Sequence, residues 1–291
     1  MSTTASVESK DRHSSLCLEC KEALEPELLT AYPASTICLD CMAEPELRRL
    51  EADLRSAQVL NASLLPRSVP RSSDWAFGIH YRPSRILSGD FYDILTLPGS
   101  NAVGLAVGDV AGKGIGAGLL RAAFQATLRT LARLGLPPAQ VMEEANRQFQ
   151  SSSHAGRFAS AFYGVLDPVQ GSLVYANAGH LPPLLRRASG SWETLGATGM
   201  VLGVFDGARY QQAVGRIEPG DLLVLHTDGV TEAQDASGAF FDERLVEAID
   251  RTPGASAQDI ANRVAAALDQ FALGEPSDDR TLVVLRRSRL E

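Results

Sequence analysis

At 291 residues, 45% of them hydrophobic, the chain has material for one large domain and a small appendage. Thirty-five acidic against 27 basic residues leave a net charge of −8, which excludes a general polyanion-binding surface and makes nucleic acid and anionic membrane unexpected partners. The N-terminus has no apolar signal core and no run approaches ~18 consecutive apolar residues, so a cytoplasmic protein without membrane spans is expected.

Residues 1–14 are polar and Ser/Thr-rich, with nothing to bury, and read as a mobile tail. All four cysteines follow at once, as Cys17, Cys20, Cys38 and Cys41, in the spacing C-x2-C, 17 residues, C-x2-C. Two such knuckles suit four thiolates converging on one tetrahedral Zn²⁺. Free thiols or two disulfides are the alternatives, the disulfides being disfavoured in a reducing compartment. A module over 15–42 is too small for an apolar core, so the metal would supply most of its folding free energy.

Residues 43–68 read as a linker or dimerisation helix, with Pro45 allowed in the first turn and Pro66 at the end. Leu47, Leu50, Leu54, Ala57, Asn61 and Leu64 recur three and four apart, a narrow seam with one polar position. Such a seam fits a homodimer through residues 43–65, or an amphipathic helix lying on its own catalytic domain.

Residues 69–288 alternate strand-like and helix-like segments. Strands are expected at 75–81, 101–110, 157–167, 172–178, 221–228 and 281–287, several apolar on both faces as in covered sheets. Helices are expected at 116–134, 138–151, 242–250 and 256–272. Strands in runs and helices in pairs point to packed sheets flanked by helices, an α+β arrangement.

Acidic residues stand at glycine-flanked strand ends in SGDFYD (88–93), GDVAGKG (108–114), HTDGVTEA (226–233) and SDDRT (277–281). An aspartate ending a buried strand is costly unless a cation meets it. Carboxylates presented from separate strand ends are the oxygen donors that Mg²⁺ or Mn²⁺ prefers.

The motifs GDFYD, GDVAGKG, NAGH, TDGVTEA and DDRT, in this order, resemble the metal-dependent PPM-type protein phosphatases, specifically the bacterial SpoIIE/RsbU branch, over residues 70–288. The resemblance implies an α/β/β/α sandwich of two packed β-sheets with helical pairs outside and a metal cleft at one end. It implies two Mn²⁺ or Mg²⁺ ions. Asp109 would be shared by both, the Val110 carbonyl would complete one shell, Asp90 would support the first ion partly through water, and Asp228 and Asp278 would hold the second. Asp279 is the neighbouring alternative to Asp278.

The implied reaction is attack by a hydroxide bridging the two metals on a phosphoserine or phosphothreonine ester, without a protein nucleophile. The implied substrate is an anti-sigma-factor antagonist of STAS type. Arg82 or Arg85 could dock the phosphate. Where eukaryotic-type relatives carry a histidine after the shared aspartate, this chain has Ala111, which leaves metal-bound water or Lys113 as proton donors; Lys113 is one of only three lysines. Asn177, Gly179 and His180 read as a tight turn, His226 as packing, and Glu232 as a neighbour of the metals or the start of a turn. A pseudophosphatase that binds the same partner, regulated through the zinc element, is the alternative function, and a zinc-ribbon nucleic-acid adaptor is disfavoured by charge.

Overall fold

The computed structural model describes residues 16–32, 35–70, 72–152, 156–251, 254–272 and 274–289; the expected tail, 1–14, lies outside the described residues. The chain divides into two compact units, Met1–Ser56 and Ala57–Glu291.

In the first unit an antiparallel bridge from Leu16 to Ala23 precedes helix α1 (Pro26–Ala31), a 3-10 turn (Leu39–Cys41) and the start of α2 (Glu44–Ser63). Its buried cluster consists of Cys17, Leu24 and Cys38, with Leu29, Ile37 and Cys41 packed against it. So small an apolar core leaves the sulfurs at the centre of the unit. Along α2 the seam residue Leu50 is buried and Leu47, Leu54, Ala57 and Asn61 are half-buried, while Val59 and Leu60 are exposed.

The strands of the second unit are β1 (Trp75–Arg82), β2 (Asp90–Thr96), β3 (Val103–Val110), β4 (Ala159–Asp167), β5 (Ser172–Ala178), β6 (Leu184–Arg186), β7 (Trp192–Thr194), β8 (Ala213–Arg216), β9 (Leu222–His226) and β10 (Arg280–Arg287). Its helices are α3 (Ile115–Arg133), α4 (Pro138–Ser152), α5 (Asp228–Thr231), α6 (Asp242–Asp250) and α7 (Ala257–Phe271). One antiparallel sheet has the order β1-β10-β9-β6-β7 and the other β2-β3-β4-β5-β8.

The two-residue period of a strand decides which side chains meet. Val103, Leu105 and Val107 of β3 face Leu223 and Leu225 of β9 and Val283 and Leu285 of β10 in one layer between the sheets. The alternate residues of β3 and β4, Ala106, Val110, Ala161 and Tyr163, pack with Phe124 and Leu128 of α3 and Val141 and Phe149 of α4. On the other sheet Leu222, Val224, Leu282 and Val284 meet Leu245 of α6 and Ile260 and Val264 of α7. Central strands are thus covered on both faces, which is why their sequences lack polar alternation. Continued to the strand ends, the same period carries Asp90, Asp109, Ser160, Thr227 and Thr281 onto the inter-sheet face.

Gly78 of β1 lies flat against the start of α7, where a Cβ would come within 2.0 Å of the Ala257 carbonyl oxygen and 2.6 Å of the Gln258 nitrogen. Gln258 also binds the Ile79 backbone at both N–H and C=O, each at 3.1 Å, so the helix end has no freedom to retreat. Gly78→Ala is expected to destabilise the fold by about 1–3 kcal/mol, seen as a lower urea midpoint with an unchanged m-value.

Candidate active site

Polar residues replace apolar ones at one end of the inter-sheet layer. Asp90, the first residue of β2, is 1% exposed, and its Oδ2 accepts hydrogen bonds from Thr227 Oγ1 and Thr281 Oγ1, both at 2.6 Å. Thr227 follows β9 and Thr281 belongs to β10, so one carboxylate of the second sheet is held by hydroxyls of the first. Burial, and then the charge of Asp109, raise the Asp90 pKa well above the ordinary carboxylate range.

Asp109 is the cross-strand partner of Asp90 on β3. It is half-buried. Burial, followed by the charges of Asp228, Asp278 and Asp279, pushes its pKa up to about 7. Asp228 opens α5 and is raised by burial, then by Asp278 and Glu232. Asp228, on α5, and Asp278, before β10, thus lie near enough to Asp109 for their charges to oppose its ionisation.

The adjacent acids Asp278 and Asp279 have different partners. Asp279 is committed to the segment before β2: Oδ1 accepts the Ser84 N–H at 2.7 Å and the Ser84 hydroxyl at 3.0 Å, and Oδ2 accepts the Gly89 N–H at 2.9 Å. Asp278 is half-buried, with Oδ2 paired to Lys113 Nζ at 2.9 Å. Lys113 also donates to the Ser277 carbonyl at 2.7 Å, so it joins the acid cluster rather than standing free at the start of α3. Arg82 is engaged by Asp269 and Glu275.

Two concavities of ≈ 450 and ≈ 400 Å³ share Asp228 and Glu232. Asp109, Ser160 and His180 line the first and Asp278 the second. The donors suit hard divalent cations: they are oxygens, half-buried, and mutually repulsive without a counter-charge. A Cβ at Gly89 would lie 2.8 Å from Asp109 Oδ1 and 2.6 Å from the Val110 carbonyl oxygen, so glycine keeps clear the surface that these two oxygens share.

Asn177 builds the expected turn. Its Oδ1 accepts the His180 N–H at 2.8 Å and its Nδ2 donates to the His180 carbonyl at 3.1 Å, with Gly179 at φ 65° between them. The turn also brings His180 Nδ1 to 2.8 Å from Ser160 Oγ, a pairing that the sequence does not reveal. Burial, then the neighbouring His226, lowers the His180 pKa to about 3. Burial lowers that of His226 to about 4.

In the first unit the four cysteine sulfurs lie within 4.8 Å of one another. All four thiols are free. The Cys38 N–H donates to Cys17 Sγ at 3.3 Å, and Lys21 takes φ 66° as the knuckle turns back to bond the Cys17 carbonyl. Burial opposes ionisation of Cys17, yet backbone N–H groups led by that of Cys38 bring its pKa down to about 6. Among the described residues no helix is long and apolar enough to cross a membrane.

The family described as Stage II sporulation protein E (SpoIIE) matches residues 99–288. Phosphoserine phosphatase RsbU of Bacillus subtilis (strain 168) is 29% identical over 241 residues, which cover 82% of this chain and 71% of that protein. The RsbU and RsbW domains of Rv1364c from Mycobacterium tuberculosis superpose with a TM-score of 0.65 at 26% identity, covering 78% of this chain and 64% of that one. The SiaA-PP2C domain of Pseudomonas aeruginosa shares the fold, with a TM-score of 0.72 at 20% identity over 84% of this chain and 99% of that one.

The raised pKa of Asp109 makes the cleft a cost to the metal-free fold. Below about pH 4 the carboxyl is protonated both folded and unfolded and contributes nothing. As pH rises toward the folded value of about 7, the unfolded chain ionises first and stability falls. Asp109→Asn is therefore expected to stabilise the chelator-treated protein at pH 8 by at least ~1 kcal/mol, with the gain vanishing near pH 4 in thermal melts.

Proposed function

The chain belongs to the SpoIIE family of PP2C-type phosphatases, and on that premise we propose that it removes phosphate from phosphoserine or phosphothreonine in a protein, an anti-sigma-factor antagonist of STAS type. The observation that carries this reading is the gathering of Asp109, Asp228 and Asp278 in two adjoining concavities that share Asp228, where the charges of Asp228 and Asp278 raise the pKa of Asp109 and that of Asp278 raises the pKa of Asp228. Asp109 would be the ligand common to two Mn²⁺ or Mg²⁺ ions. The Val110 carbonyl and the remaining oxygen of Asp90 would serve the first ion, and Asp228 and Asp278 the second. Cations bound there acidify water and neutralise charge on the phosphoryl oxygens.

The protein's own groups supply the geometry. Thr227 and Thr281 fix the Asp90 carboxylate, and Asp279 fixes Ser84 and Gly89, the segment that presents Asp90 to the cleft. The commitment of Asp279 to three donors supports Asp278 as the ligand of the adjacent pair. Purified protein should hydrolyse p-nitrophenyl phosphate and a phosphoseryl protein only with Mn²⁺ or Mg²⁺. Asp109→Ala and Asp228→Ala should each lower kcat/KM by about 100-fold or more; turnover that persists in chelator would overturn this reading.

The same reading gives the four cysteines one Zn²⁺ in a module over 15–42. A tetrahedral zinc with Zn–S near 2.3 Å has sulfur–sulfur edges of about 3.8 Å, and Cys20 and Cys38 already stand 3.6 Å apart. Backbone N–H donation to Cys17 Sγ favours its thiolate, the form that binds metal. Elemental analysis should find about one zinc per chain, and Cys17→Ser or Cys38→Ser should lose it; zinc-free protein from chelator-free reducing buffer would rule the site out.

A further inference from the structure

Ser160 and His180 form a pair in the wall of the catalytic cleft that none of the metal-binding roles uses. Ser160 is the cross-strand partner of Asp109, on β4, and points with it toward the inter-sheet layer. Both line the ≈ 450 Å³ concavity beside Asp228. The only hydrogen bond of the Ser160 hydroxyl among the described residues is to His180 Nδ1, at 2.8 Å.

The imidazole is built in place. His180 is 4% exposed, and Asn177 binds both its backbone N–H and its carbonyl. Gly179, at φ 65°, seats the turn so closely on Val201 that a Cβ would approach Val201 Cγ1 to 2.6 Å. Burial keeps the ring neutral at any working pH. A neutral ring carries one proton. Nε2 makes no hydrogen bond among the described residues. In the tautomer that carries the ring proton on Nε2, Nδ1 accepts the Ser160 proton. The serine oxygen then offers only lone pairs to the cleft.

We propose that Ser160, oriented by His180, is a further catalytic group whose oxygen accepts a hydrogen bond from the water that attacks phosphorus beside Asp109. Bound cations would acidify this water, and the proton it loses would leave to solvent before attack; the proton that remains is directed at Ser160 Oγ, which leaves an oxygen lone pair facing the ester. Ser160 itself neither gains nor gives up a proton. A ring this resistant to protonation is a poor base, and its task is to fix the direction of the hydroxyl. Serine without the histidine could turn its own proton toward the water and lose the effect. His180 is thus a positioning residue acting through Ser160, and the proposal presupposes the metal-dependent phosphatase reaction.

Steady-state kinetics on p-nitrophenyl phosphate at saturating Mn²⁺ test it, with melting temperature and calorimetric Mn²⁺ affinity measured alongside. Ser160→Ala should lower kcat by about 10- to 100-fold, leaving KM, melting temperature and Mn²⁺ affinity near wild type. Ser160→Thr, which keeps the hydroxyl, should restore kcat. His180→Ala should match Ser160→Ala, His180→Asn, which keeps an acceptor near Nδ1, should recover part of the loss, and the double variant Ser160→Ala/His180→Ala should be no slower than Ser160→Ala alone. Full kcat in Ser160→Ala beside an inactive Asp109→Ala overturns the pair's role and leaves the phosphatase reading standing. Full activity in both variants overturns the two together. Losses that multiply in the double variant, or a Ser160→Ala defect that follows lost stability and is not rescued by threonine, also overturn the proposal.

Discussion

A single carboxylate binds the two halves of the sandwich at their functional end. Asp90 leaves the second sheet and ends between two threonine hydroxyls of the first. The threonines are themselves joined, Thr281 N–H to Thr227 Oγ1 at 3.1 Å and Thr227 N–H to the Thr281 carbonyl at 3.1 Å. An acid so deeply buried is tolerable only where donors meet it. Short bonds from both strands also set the sheet separation at this edge, and with it the distance between the acids of β3 and those near β9 and β10. Away from that edge the layer is apolar and could accept small slips; at the edge it cannot.

The acids around this knot divide the work by direction. Asp279 turns back to the segment before β2 and Asp278 outward to Lys113, although the two are neighbours in sequence. Asp93, three residues after Asp90 and so on the opposite face of β2, leaves the cleft altogether and binds Arg129 and Gln125 of α3. One short motif thereby supplies a carboxylate to the site and another to the helix layer behind it.

Much of this was legible in the sequence. The long strands and the four long helices of the second unit follow apolar runs and their breaks, and two packed sheets flanked by helices accord with the resemblance to PPM-type phosphatases. β6, β7 and β8 have three or four residues each, too few for a period to register. β2 was visible only as a motif, its alternation obscured because both faces are buried. Thr227 and Thr281 carried a signal, since each continues the inward phase of its strand, but a threonine beside an aspartate reads as a turn. The motif resemblance favours Asp278 over Asp279, but the partners that occupy Asp279 are invisible in sequence because Ser84 and Gly89 lie some 190 residues away. The Ser160–His180 contact depends on a turn closing onto a third segment, which no local pattern encodes.

The position of β10 has a temporal consequence. It is the last strand along the chain, yet it lies between β1 and β9 rather than at an edge. Until it inserts, β1 has no partner in its sheet, Asp90 lacks one of its two hydroxyls, and Asp278 is still remote from Asp109. Pairings of such long sequence separation form late and slowly. A chain emerging from the ribosome can therefore complete the β2–β5 ladder and its helices while still unable to gather its acids. The gathering of the acids thus waits on the pairing of β10 with β1 and β9.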